Sequence, residues 1–293
     1  MVQETALEFR WPIDLRLTVA SHGWVHLEPW RWDEAAGELS RTERIGDTVG
    51  TVAARQTNPK TLALRWSGFL PGDEAEIRRR VNRWVSGDWD PAAAVAALQD
   101  RFPDESRYVA SGAGRLLRCS TFYDDFIKTL LTVNTSWSGT CRMNAALVAE
   151  PGGGAFPGPL QLLDYGEERL RGIAKLGFRA PTAVAATRRM LDDGIIDADG
   201  HAMEERLDHD YLIALKGIGP YAAAHCRMLL HDFARIPVDS VVVAHLRERH
   251  STTPAEFIAA HAECGDYLGL AYRLMRLREK FQVARVDTAG AGY

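Results

Sequence analysis

Two glycines flanking one apolar residue, followed at once by a proline, interrupt a helical pattern at Leu215-Lys216-Gly217-Ile218-Gly219-Pro220. This hairpin constrains the chain more than any other feature. The stretch Leu212 to His250 reads as helix, tight turn, helix, then Ile236-Pro237-Val238-Asp239, then a third helix. The glycines allow a tight turn whose backbone can approach a ligand closely. Pro220 suits the first turn of the helix behind it, where its missing N–H costs nothing. That helix start carries free N–H groups and the positive end of a dipole, so it can hold an anion such as a phosphate without a charged side chain.

The rest of the chain divides in two by periodicity. Residues from about 12 to 70 look β-rich. Leu15–Val19, Val25–Leu27 and Leu62–Trp66 read as strands, with turn signals at Ser21-His22-Gly23, Arg44–Asp47 and Thr57-Asn58-Pro59. Helices are expected over Asp73–Val85 and from Asp90-Pro91 onward. From about Tyr108 the spacing is helical almost throughout, broken at Pro151-Gly152-Gly153-Gly154, Gly177, Gly194 and the hairpin. The expected fold is α+β: an amino-terminal antiparallel sheet domain over residues 1–107, then a mostly helical region over 108–293. Within the latter the hairpin covers 212–230 and the Pro-Asp segment 236–250.

A chain of 293 residues, 46% hydrophobic, buries a sizeable core without disulfides or metal. Cys119, Cys141, Cys226 and Cys264 are far apart and form no CxxC, which argues for reduced thiols and against a zinc ribbon or an iron-sulfur cluster. No apolar run approaches a membrane span, and the polar, acidic Met1–Phe9 does not read as a signal peptide. The net charge of −4 disfavours a nucleic-acid partner only weakly, because the charge on one face is what matters. Basic clusters occur at Arg78–Arg80, Arg188-Arg189 and Arg273–Lys280, and each also fits a solvated helix face.

The hairpin Leu215-x-Gly217-x-Gly219, followed by Pro237-Val238-Asp239, resembles the helix-hairpin-helix, Gly/Pro-Asp superfamily of DNA glycosylases. The resemblance extends to Arg118-x-x-x-Phe122-x-x-x-Phe126, Asn134-x-Ser136, Phe156-Pro157 and Gly177-Phe178-Arg179-Ala180. Trp89-Asp90-Pro91 and the β-rich front resemble the alkylbase (3-methyladenine) and 8-oxoguanine branches. The resemblance implies a monomer acting on double-stranded DNA that carries a damaged or modified base. It implies a cytoplasmic, nucleoid-associated or nuclear location, according to the cell. The enzyme would flip the base out, hydrolyse its N-glycosidic bond and leave an abasic site in base excision repair.

The resemblance assigns roles residue by residue. Asp239 is the catalytic carboxylate, stabilising positive charge on the sugar; it also fits a helix N-cap, and the two are compatible. Tyr221 stands where bifunctional members carry a nucleophilic lysine, which implies hydrolysis without lyase chemistry. Tyr221 and His225, one turn apart, line the base pocket or pack in the core. Tyr272 and Arg276 form a second i, i+4 pair suited to stacking on a base and bonding its edge or a phosphate. Gly217, Ile218 and Gly219 meet the DNA backbone. Asn134 fills the gap left by the flipped base, Phe178 wedges against the partner base or packs internally, and Arg179 reads that base. Gly139 replaces a second reading arginine of the 8-oxoguanine enzymes. The carbonyls of Ile213, Leu215 and Ile218 match a site for a monovalent or calcium ion. No cofactor is required. Two alternatives remain: a non-catalytic DNA-binding protein on the same fold, and a glycosylase/lyase using another lysine such as Lys128 or Lys175.

Overall fold

A computed structural model describes residues 2–289, with side chains to residue 281. Five strands, β1 (Gln3–Glu8), β2 (Trp30–Asp33), β3 (Glu38–Ile45), β4 (Thr48–Asn58) and β5 (Thr61–Ser67), form one antiparallel sheet in the order β1-β5-β4-β3-β2. Gly46 has a φ of +55° between β3 and β4, where Ile45 pairs with Thr48, so it supplies the left-handed residue of a two-residue hairpin loop. The turns expected at 44–47 and 57–59 are therefore the β3–β4 and β4–β5 turns, and Leu62–Trp66 lies in β5.

Two expected strands are corrected. Leu15–Val19 is helix α1, because Asp14 caps it by accepting the Leu17 N–H at 2.8 Å. Val25–Leu27 falls at a 3-10 turn over Gly23–His26. Strands β1 to β4 lay outside the expected set. In β3 the buried positions are Leu39, Arg41 and Glu43, so its inner face is charged and hides the apolar alternation of a strand.

The remaining helices are α2 (Glu74–Trp84), α3 (Ala92–Leu98), α4 (Pro103–Ala110), α5 (Phe122–Thr132), α6 (Trp137–Ala149), α7 (Pro159–Tyr165) and α8 (Glu167–Gly172). They continue with α9 (Arg179–Asp192), α10 (His209–Ile213), α11 (Pro220–Leu229), α12 (Ser240–His250), α13 (Pro254–Ala260) and α14 (Leu268–Ala289). Ahead of the hairpin the helical spacing is split into a 3-10 turn, Glu204–Arg206, and the short α10, which Asp208 caps. No helix among the described residues is long and apolar enough to cross a membrane.

The buried apolar residues form two cores. One joins the sheet and α2–α4 to Met228–Met275 of the carboxyl-terminal helices. The other runs from Phe122 to Cys226, through helices α5–α11 and the loops that join them. Arg41 bonds Asp124 and lies 2.8 Å from Glu43, Arg80 lies 2.7 Å from Glu43, and Arg83 lies 2.7 Å from Asp125. These buried ions tie the sheet and α2 to α5. Burial opposes the charge on Asp125, but the Arg83 guanidinium and the Cys119 N–H hold its carboxyl below the usual range. Removing one partner would strand a buried charge and cost about 3–5 kcal/mol.

Candidate active site

Between the two cores lies a cleft of about 1390 Å³. Its walls come from the loop after α1, the α5–α6 loop, α11, the start of α12 and one face of α14. The hairpin leads into it. Asp208 accepts the Tyr211 N–H at 2.7 Å and starts α10, and the Leu215 carbonyl accepts the Ile218 N–H at 3.0 Å to close the turn. Gly217 has a φ of +87°, and a Cβ there would stand 2.8 Å from the Thr182 hydroxyl. Gly219, by contrast, has open space where its Cβ would project. It occupies the N-cap of α11 without a capping side chain, so the first turn of that helix has no side-chain partner for its N–H groups. Ile218 and Leu215 are buried, and Ile213 is exposed.

Asp239 is the N-cap of α12, its Oδ1 accepting the Val242 N–H at 2.8 Å. It is half-buried and lines the cleft together with Tyr221, His225, Tyr272, Arg273 and Arg276. The cap holds the carboxylate at the positive end of α12.

His225 is buried, its ring 5.9 Å from Tyr221, 5.1 Å from Trp24 and 5.9 Å from His22 between centroids. Burial, aided by the positive charge of Arg273, pushes its pKa down to about 3. The imidazole is neutral, and its Nε2 is buried without a partner. His22 Nε2 lies 2.7 Å from the Leu117 carbonyl, which can only accept, so Nε2 carries the proton. His22 Nδ1 is then a lone-pair acceptor, buried and unpaired; burial, then Arg273 and His225, hold this ring neutral as well. His22 and Trp24 were not among the sequence-derived candidates. They sit some 200 residues before Tyr221 and Asp239 in a loop without a motif.

On α14, Arg276 lies 6.0 Å from the Tyr272 ring centroid. Tyr272 is only 2% exposed, packed edge-on against Phe257 and His245, and bonded to His245 Nδ1 at 3.2 Å. Its face is not free for a base to stack on. Arg273, also missed, lies in the cleft one turn from Arg276 and donates to the Ser21 carbonyl. Burial, then the neighbouring Arg276, push its pKa down to about 10, so it stays charged at neutral pH. Its i, i+3 spacing from Arg276 was the available signal.

Asn134 is exposed on the α5–α6 loop with a φ of +49° and lines the cleft. Phe178 is 61% exposed at the start of α9, with the Arg179 guanidinium 4.3 Å from its ring. Arg179 departs from the expected reading role. It is buried and donates to the Val133 carbonyl, next to Asn134, so it braces that loop. Gly139 is buried in α6.

The lysines separate clearly. Lys128 is fully buried, 3.3 Å from Asp124 and 5.0 Å from the Phe156 ring, which removes it as a nucleophile for a ligand in the cleft. Lys175 and Lys216 are exposed and do not line the cleft, whereas Lys280 does.

No family model matches the chain, and neither does any curated protein. Solved structures do. The 3-methyladenine DNA glycosylase from Archaeoglobus fulgidus superposes with a TM-score of 0.70 at 16% identity, over 94% of this chain and 99% of that one. The apo 8-oxoguanine glycosylase/lyase of Clostridium acetobutylicum gives a TM-score of 0.67 at 15% identity, over 94% and 98%. MBOgg1 in complex with a low-affinity DNA ligand gives 0.65 at 18%, over 96% and 98%. The chain has the α+β fold of these DNA glycosylases, matched across nearly its whole length.

Proposed function

We propose that this chain is a monofunctional DNA glycosylase of base excision repair. The observation that carries the reading is the placement of Asp239: a helix-capping carboxylate in a cleft, preceded by a hairpin with an open helix N-terminus. Both α12 and α11 begin with their positive ends at these sites. Duplex DNA binds across the cleft with a phosphate on the N–H groups behind Gly219. The flipped nucleotide enters beside the half-buried Tyr221 and His22, with the buried His225 and Trp24 behind them, at a cost of about a few kcal/mol of unstacking. Phe178 supplies an exposed wedge, and Asn134 lies where it can occupy the vacated space.

As the N-glycosidic bond breaks, positive charge develops on the sugar, and Asp239 stabilises it and orients water. Tyr221 has no amine, so no Schiff base forms there. Burial raises the Tyr221 hydroxyl pKa and keeps it a neutral donor. The acceptor Nδ1 of His22 and the neutral His225 favour a base that offers an N–H group. The alkylbase branch is the nearest guide to substrate, and a bulky or hypermodified base also fits a cleft of this size. The turn carbonyls of Ile213, Leu215 and Ile218 supply oxygen donors of the kind a monovalent or calcium ion takes, and Leu215 keeps a second lone pair beyond its bond to Ile218.

Lys280, the lysine of the cleft wall, supports a second reading as a glycosylase/lyase. The test is a panel of duplexes bearing different lesions, incubated with protein and analysed with and without alkali. Strand breaks that appear only after alkali support hydrolysis alone, and breaks without alkali support the lyase.

A further inference from the structure

We infer that His245, His250 and Glu279 form a binding site for a divalent transition-metal ion of the zinc class at the rim of the cleft. His245 and His250 stand five residues apart on α12, and Glu279 faces them from α14. His245 Nε2 is 2.8 Å from one carboxylate oxygen and His250 Nε2 is 3.0 Å from the other. The ligating atoms of all three residues lie within 4.8 Å of one another.

Zinc, cobalt(II) and nickel(II) take imidazole nitrogens together with a carboxylate, whereas magnesium and calcium want a shell of oxygens. The second nitrogen of His245, Nδ1, is already 3.2 Å from the Tyr272 hydroxyl. In the tautomer whose Nδ1–H donates to that hydroxyl, the Nε2 lone pair is left for the ion, the arrangement that orients imidazole ligands in metal sites. Binding displaces the protons that now join the imidazoles to Glu279. Three protein ligands leave a fourth position, and His245 and Glu279 both line the cleft, so water can reach it.

The ion would clamp α12, which begins at Asp239, to α14, which carries Arg273 and Arg276. Arg249, Arg276 and Lys280 line the same region and oppose a dication, so affinity falls below that of a closed structural zinc site. The site stands on its own geometry and does not depend on glycosylase activity.

The experiment takes the full chain, stripped with EDTA and titrated with cobalt(II) followed by visible absorption, and with zinc followed by calorimetry and thermal unfolding. His250→Gln is the primary variant, because His250 is exposed and lies outside the core; Glu279→Gln is the second. The wild type is expected to take up one equivalent, develop ligand-field absorption and unfold at a higher temperature with zinc. Each variant should bind at least about tenfold more weakly, and magnesium should not compete. Two results overturn the assignment. One is a wild type that shows no absorption and no thermal shift at a hundredfold metal excess. The other is binding undiminished in both variants, which would place the ion elsewhere.

Discussion

Gly217 and Gly219 stand two residues apart in one turn, yet alanine should act on them in different ways. At Gly217 an L-residue must hold a φ of +87°, at a cost of about 1–2 kcal/mol. Its methyl would also stand 2.8 and 2.9 Å from Thr182 Oγ1 and Cγ2, an overpacking worth about 1–3 kcal/mol. Gly217→Ala should therefore destabilise the fold by about 2–5 kcal/mol. Thr182→Ala in the same chain removes both close atoms and leaves Cβ at 3.5 Å, so the double variant should recover the packing share and keep the backbone share. At Gly219 the φ is −98° and no atom lies within 4 Å of the added methyl. Gly219→Ala should leave stability within about 1 kcal/mol of the wild type, because the entropy removed from the unfolded chain is offset by alanine's poorer fit at the N-cap. It should nonetheless weaken binding to every duplex, damaged or not, because the methyl occupies the phosphate's approach. Urea unfolding and fluorescence anisotropy on matched intact and lesion duplexes measure both. A Gly219→Ala protein that binds both duplexes as the wild type does would refute the hairpin as the phosphate anchor. Loss confined to lesion DNA would do the same.

The remaining predictions concern the cleft and its supports. His22, His225 and His231 are all held neutral chiefly by burial, with folded pKa values lowered from an unfolded value near about 6.5. Their contribution is complete above that pH and falls below it by about 1.4 kcal/mol per pH unit for each proton taken up on unfolding. Urea midpoints should thus drop between pH 7 and pH 5, less steeply in His231→Gln; equal stability at the two pH values would contradict the burial argument. Phe178→Ala should change stability by no more than about 0.5 kcal/mol, since the ring is largely exposed, while slowing base release. Unaltered release from every substrate would dismiss the wedge. Wild-type protein should give no adduct with abasic DNA under borohydride, and Tyr221→Lys should gain some, its desolvated amine having a lowered pKa. A wild-type adduct that vanishes in Lys280→Met would assign lyase chemistry to Lys280.

What could be read from sequence was whatever the backbone dictates. Gly217 and Gly219 widen the φ open to the chain, and Pro220 and Pro237 fix φ and remove a donor, wherever they stand, so the hairpin and the Pro-Asp turn were legible without tertiary knowledge. The sheet was half legible. Its turns carry glycine, asparagine and proline, but β3 turns Arg41 and Glu43 inward to meet Asp124 and Arg80, and a charged interior carries no hydrophobic alternation. Leu15–Val19 is too short for its spacing to decide between strand and helix, and the Asp14 cap decides it. Within the site, Asp239, Tyr221 and His225 follow from the hairpin through the resemblance to helix-hairpin-helix glycosylases. His22 and Trp24 reach the cleft only through tertiary packing of the loop after α1. Arg179 has the composition of a base reader and the position of a brace, a difference set by the nearby Val133 carbonyl.

The proposed chemistry rests on the charge of Asp239 more than on its cap. Asp239→Asn keeps the size of the side chain and an oxygen for the Val242 N–H, but removes the negative charge. Single-turnover base release should be measured on the best duplex from the lesion panel, beside the affinity of the same protein for that duplex. The account predicts a rate lower by about a hundredfold or more with affinity nearly intact. Wild-type base release by the asparagine variant would contradict it.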